Sequence, residues 1–226
     1  MKPSKTYQKL LLSAIFVSTI LLFGCKKEKD GADDTIKQTQ QINLVLPQKY
    51  IDTLKNLGIT IHEGTTPPIV NGIYIFSPSI LKASNIPGDE IGSTFSESKI
   101  KMENQNNTDF TLSIIGQSLL VDRDTSIVTA ISGSGNNFTV YSKIKATAGS
   151  NYAYFAVVFS GTMSDSGIKN LEYGIINIDN SHGVGTFISE GSARLVYDGD
   201  FITVTSPVFR VSTTPISNNT KIVGLI

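Results

Sequence analysis

Along most of the chain apolar residues recur at every second position, which is the period of a strand with one buried face. From Thr108 to Ile115, Phe110, Leu112 and Ile114 share one face while Thr111 and Ser113 take the other. From Phe138 to Thr147, Phe138, Val140, Ile144 and Ala146 point one way, and Thr139, Tyr141, Lys143 and Lys145 point outward. In Ala153–Met163 the set Phe155, Val157, Phe159 and Met163 is apolar, and the opposite set (Tyr154, Ala156, Val158, Ser160, Thr162) is mixed, a pattern consistent with cover on both sides. Between Ile168 and Asp179 the apolar phase moves from Leu171, Tyr173 and Ile175 to Ile176 and Ile178, which predicts a β-bulge next to Gly174. Ile188–Tyr197 and Phe201–Ser212 add two further strands, the last divided by Pro207. One segment has helical period instead. Pro47 opens it, Tyr50, Ile51, Leu54 and Leu57 form its stripe, and Gly58 supplies a left-handed end. Such a short helix must dock on something, and a cover over one end or face of a sheet is the expected role.

The strands are separated by turn-forming clusters such as Gly133–Asn137, Gly149–Asn151, Ser164–Gly167, Asp179–Gly183 and Asp198–Asp200. Their regular spacing suits an antiparallel meander rather than units with helical crossovers. The expected fold class is therefore all-β: a meander forming a barrel-like (calycin/lipocalin-like) domain or a two-sheet sandwich, with one short N-terminal helix. Short turns between the last four strands favour the barrel. The expected division is a signal peptide over 1–24, a flexible polar tether over 25–41, and a single β-rich domain over 42–226.

The N-terminal assignment rests on a different pattern. Lys2, Lys5 and Lys9 precede an apolar run, Leu10 to Phe23. As a helix it measures about 21 Å, short of the roughly 30 Å hydrocarbon core, so it reads as a secretory signal peptide. Its exit, Leu22-Phe23-Gly24-Cys25, resembles the bacterial lipobox. That resemblance makes Leu22 and Gly24 the signal-peptidase recognition residues and Cys25 the first residue of the mature protein. Cys25 would then carry a diacylglyceryl thioether and an amide-linked acyl chain such as palmitate. Two or three chains anchor a protein stably where one is marginal. The polar tether with interspersed acids resembles, in part, the surface-export signals of Bacteroidetes lipoproteins. The expected location is the outer membrane, with the periplasmic and surface-exposed faces both open.

Composition narrows the chemistry. Lys and Arg number 19, as do Asp and Glu, but removal of Lys2, Lys5 and Lys9 with the signal peptide leaves 16 bases against 19 acids, a net charge of −3. A nucleic-acid partner that needs a basic field is excluded. The single Cys rules out an internal disulfide and a multi-Cys zinc site. No nucleophile elbow, zincin motif, phosphate loop or dinucleotide fingerprint occurs. No cofactor or metal is expected, and no catalytic residue is assigned: Asp122, Asp124, Asp198 and Asp200 read as turn residues, and His62 and His182 as isolated histidines. Glu172 and Glu190, on successive strands, could form the facing carboxylate pair of a glycan hydrolase, an alternative to binding. The binding candidates are aromatic. Tyr152, Tyr154, Tyr173 and Tyr197 lie near strand ends or on the mixed face, where a phenol ring can contact a glycan, a small molecule or a protein.

Gly64–Tyr74, Asn85–Asp89, Ile131–Thr139 and Phe159–Lys169 together resemble a family of uncharacterised Bacteroidetes lipoproteins, over most of residues 42–205. The resemblance implies lineage and location and carries no activity. The entry Pro67-Pro68 to Gly72-Ile73-Tyr74 is loosely similar to the Gly-x-Trp start of lipocalin-type barrels, with Tyr74 in place of the Trp. The expected function is a lipid-anchored, non-catalytic binding or accessory domain, the other alternative being a structural or adhesion protein.

Overall fold

The helix expected after Pro47 forms where its stripe places it. Pro47 holds the N-cap position at φ −56° and ψ 145°, the helix runs Gln48–Asn56 (α2), and Gly58 leaves at φ +97°. The computed structural model describes residues 29–121 and 123–209. The chain divides into Met1–Ala32, of which only the first helical residues 29–32 are described, and Asp33–Ile226, which holds all that follows. Cys25, Leu22 and Gly24 lie outside the described residues, as do Asp122 and the end of the strand expected beyond Phe209.

A second helix, α1 (Lys29–Val45), occupies most of the segment read as a flexible tether. Its stripe escaped the sequence pattern because polar groups make its contacts. The Gln38 amide donates to the carbonyls of Gly64 at 2.9 Å and Ile131 at 3.1 Å, and Gln41 donates to Thr129 at 2.7 Å. Lys37 pairs with Asp109 at 2.7 Å, and apolar packing starts only at Ile42, Val45 and Leu46.

Twelve strands follow: β1 (Thr65–Thr66), β2 (Gly72–Phe76), β3 (Ser79–Ser84), β4 (Thr94–Phe95), β5 (Ser98–Asn106), β6 (Thr111–Gln117), β7 (Asp124–Ser134), β8 (Asn137–Ala148), β9 (Asn151–Ser164), β10 (Gly167–His182), β11 (Ala193–Asp198) and β12 (Ile202–Thr205). Consecutive strands from β5 to β11 are neighbours, as a meander requires, and β1 on β7 is the one parallel pairing among the described residues. The ring closes through β10, β12, β2 and β5. It is not a regular barrel. β10 changes partner at the irregularity between Lys169 and Glu172: Gly167–Lys169 pair with β12, and Glu172–Ile176 pair with β11, from which β3 and β4 branch. A second departure lies between β6 and β7, paired only at Ile115–Thr125 and Gly116–Asp124. Beyond that point the hydroxyls of Ser126 and Thr129 accept the amides of Ile114 and Leu112 in place of backbone carbonyls.

The ring interior is filled. Phe138, Val140 and Ile144 of β8, Phe155, Val157 and Phe159 of β9, and Leu171, Tyr173 and Ile175 of β10 pack there with Phe76, Ile100, Met102 and Ile114. Phe76, Phe159 and Tyr173 form a ring trio with centroids 5.4–6.1 Å apart. Tyr173 is therefore a core residue, fully enclosed by the inward phase of β10, and is not a surface ligand contact.

The expected bulge at Gly174 is absent, since the register runs unbroken from Glu172 to Ile176. The change of apolar phase records cover on both faces instead. Ala156, Val158, Ile176 and Leu195 lie on the outer face, in a second core with Tyr50, Ile51 and Leu54 of α2, Val45 of α1 and Leu46 just after it. Gly174 makes the fit possible, because a Cβ there would lie 2.8 Å from Leu54 Cδ2.

Candidate binding cleft between the helices and the ring

The two helices meet the outer sheet face around a cleft of about 400 Å³, within the range of small-molecule pockets. Gln38, Thr39 and Ile42 of α1 form one wall, and Gln48, Ile51 and Lys55 of α2 form the other. Segment Ile61–Thr65, Ser132 and Tyr141 close the cleft from the sheet side.

Each wall has a local reason for its place. Beyond Thr125 the hydroxyls of Ser126 and Thr129 carry the bonds to β6, and the carbonyls of Thr129 and Ile131 take the glutamine amides of α1. Leu54 seats α2 over Gly174. The chain from Gly58 to Gly64 is pinned by four further bonds. Lys82 donates to Gly58 O and pairs with Glu172, Thr60 N donates to Glu172 at 3.3 Å, His62 N donates to Thr139 Oγ1 at 2.8 Å, and Gly133 N donates to Gly64 O at 2.8 Å. A side chain at Gly64 would strike Gly133 O at 2.7 Å, in a backbone held at φ +120°.

Tyr141 is the group of interest. It is 2% exposed, and burial pushes its phenol up to about 12, helped by the Glu63 carboxylate and opposed by the Ser132 hydroxyl. Tyr141 is thus a neutral hydrogen-bond donor at any physiological pH. Ser132 itself donates to His62 O at 2.7 Å. Burial also depresses the His62 imidazole, against the pull of Glu172. Isoleucine side chains, threonine and amide groups, and one charge of each sign (Glu63, Lys55) suit a small polar molecule with an apolar face.

The residues singled out from sequence fall elsewhere. Tyr152 and Tyr154 come together on the outer face near the β8–β9 turn, where their rings meet edge to face at 5.9 Å. Tyr197 stacks on Phe201 at 5.8 Å, beside the bend between β11 and β12. Glu172 and Glu190 do not form a facing pair. Glu172 is held by Lys82 and Thr60 beyond the C-terminal end of α2, while Glu190 accepts the Tyr50 phenol at 2.7 Å near its N-terminal end. Tyr50 bonds Ile178 O as well, and Ile178 is about 20 Å of strand from Glu172. Asp124 accepts the amides of Leu119, Leu120 and Val121, so its carboxylate holds a turn. Asp198 accepts Thr203 Oγ1 at 2.6 Å and Asp200 accepts Ile202 N at 3.1 Å, both again turn bonds. Among the described residues no three His, Cys, Asp or Glu side chains cluster as metal ligands.

Sequence reading missed the cleft. Its floor residue stands in a strand as one outward aromatic among Thr139, Lys143 and Lys145, and one wall belongs to a helix with no apolar stripe. No protein-family model, curated protein or solved structure matches the chain.

Proposed function

We propose that the protein is a lipid-anchored, non-catalytic binding module of the bacterial cell envelope, held to the outer membrane through acyl chains on Cys25, with the cleft between α1 and α2 as its ligand site. The observation that supports the binding reading is a cleft of about 400 Å³ outside the ring, over the buried phenol of Tyr141, whereas among the described residues apolar side chains pack the ring interior. That packing favours the outer cleft over a lipocalin-style cup. The lipobox-like Leu22-Phe23-Gly24-Cys25 supports the anchor. The separate ion pairs of Glu172 and Glu190 favour binding over carboxylate-pair hydrolysis.

The test has two arms. Palmitate incorporation should disappear in Cys25→Ser. Thermal shift of the purified protein against monosaccharides, amino acids and nucleosides should yield stabilising members whose effect is lost in Thr39→Trp, which fills the mouth from an exposed helix position. A panel without any stabilising member, or shifts unchanged in Thr39→Trp, would contradict the cleft as the site.

A further inference from the structure

The charged groups of the cleft narrow what it takes. Of the side chains that line it, only Lys55 and Glu63 carry charge. Lys55 stands on the helix side, since Gln48, Ile51 and Lys55 share one face of α2 at helical spacing. Glu63 comes from the sheet side, between His62, whose amide donates to Thr139 Oγ1, and Gly64, whose carbonyl accepts Gly133 N. Both residues are exposed, and neither side chain makes an ion pair or a hydrogen bond among the described residues. The two charges therefore face the cleft without being spent on the protein.

One neutral acceptor joins them. Gln38 is 6% exposed, and its amide donates to Gly64 O and Ile131 O. Its Oε1 accepts no hydrogen bond among the described residues. Because Gln38 binds the residue that follows Glu63, the two acceptors stand on the same side of the cleft. Apolar contact comes from Ile42, Ile51 and Ile61, one each from α1, α2 and the extended segment. Tyr141 is the one aromatic residue in the lining, and at 2% exposure it has no open ring face.

Ligand classes separate on these facts. A nucleoside base or the C–H face of a sugar stacks on an aromatic ring, and the cleft offers none. A neutral polyol draws nothing from either charge. A monoanion is attracted by Lys55 and repelled by Glu63, a monocation the reverse, so the two effects offset. A ligand that carries both charges, turned with its anion to the helix and its cation to the sheet, gains from both. The three isoleucines suit an aliphatic remainder.

We propose that the cleft binds a zwitterionic aliphatic amino acid. Its carboxylate meets the Lys55 ammonium, its ammonium meets the Glu63 carboxylate and Gln38 Oε1, and its side chain lies among Ile42, Ile51 and Ile61. The assignment rests on the cleft being the ligand site, as proposed above.

Calorimetric titration of the purified full chain with leucine, leucinamide, 4-methylpentanoate, glucose and uridine tests it. Leucinamide lacks the carboxylate charge and 4-methylpentanoate lacks the ammonium. Leucine should bind about tenfold or more tightly than either, the usual size of one charge-assisted contact. Lys55→Gln should erase the preference over leucinamide, and Glu63→Gln the preference over 4-methylpentanoate. Both substitutions fall at exposed positions without partners, so the fold is kept. No binding of leucine, or preferences that survive the two substitutions, would overturn the proposal. Glucose or uridine binding more tightly than leucine and lost in Thr39→Trp would overturn the amino-acid assignment while leaving the cleft as the site. Leucine binding that withstands Thr39→Trp would overturn both.

Discussion

The seating of α2 on β10 can be tested through one pair of residues. Leu54 is fully buried, and truncation to Ala should cost about 3 kcal/mol, the usual range for a buried leucine whose site relaxes only partly. Gly174→Ala should also destabilise, although alanine is ordinarily the better strand residue. Its Cβ would stand 2.8 Å from Leu54 Cδ2 and 3.2 Å from Cδ1, where carbon atoms rest at about 3.5–4.0 Å. Either the leucine leaves its rotamer or the helix lifts, for about 1–2 kcal/mol. All three atoms nearest the added methyl belong to the Leu54 side chain beyond Cβ, so the clash vanishes when Leu54 is already Ala. The double variant should then cost no more than Leu54→Ala alone, a coupling of about 1–2 kcal/mol. Urea unfolding of the four proteins measures it, provided the m-values agree. Additive losses, within about 0.5 kcal/mol, would refute the close approach of α2 to β10.

Other substitutions probe the remaining contacts. Gln38→Leu leaves the carbonyls of Gly64 and Ile131 without its amide and should cost about 1–3 kcal/mol in urea unfolding, whereas a loose tether would lose nothing. Burial raises the folded-state value of Asp198, so stability from this group is full below its unfolded value of about 3.9 and falls as pH rises through the folded value. Asp198→Asn should gain in Tm over the parent with increasing pH, and a constant difference would contradict the burial effect. Asp89 has the opposite sign: bonds from Arg194 at 2.7 and 2.8 Å depress it, so its contribution is present above about 3.9 and fades in acid, and Asp89→Asn should flatten that loss.

Fold class was legible because alternation in β8 and β9 is unambiguous once one face is apolar. Two-sided burial was harder to see. In β10 an apolar residue at every position from Ile175 to Ile176 mimics a slip in register, and only the helix above Gly174 resolves it. α1 could not be read from apolar spacing because glutamine amides dock it on β7 carbonyls left open where side-chain hydroxyls replace the β6–β7 backbone ladder, a property of tertiary structure. Of the four tyrosines, Tyr152 and Tyr154 lie on the mixed face of β9 as their phase indicates. Tyr173 shares the inward phase of Leu171 and Ile175, which marks it as a core residue once the cover on both faces of β10 is recognised. The cleft had no local mark, since its lining comes from α1, α2, an extended segment and two strands.

Isoleucine methyl NMR, with the panel member that stabilises the protein most, tests most directly where the ligand sits. Methyls of Ile42, Ile51 and Ile61 around the cleft should shift in a saturable manner, while those of Ile100, Ile114 and Ile175 inside the ring stay in place. Shifts led by the interior methyls would mean that the ring opens to hold the ligand, and would contradict the cleft as the binding site.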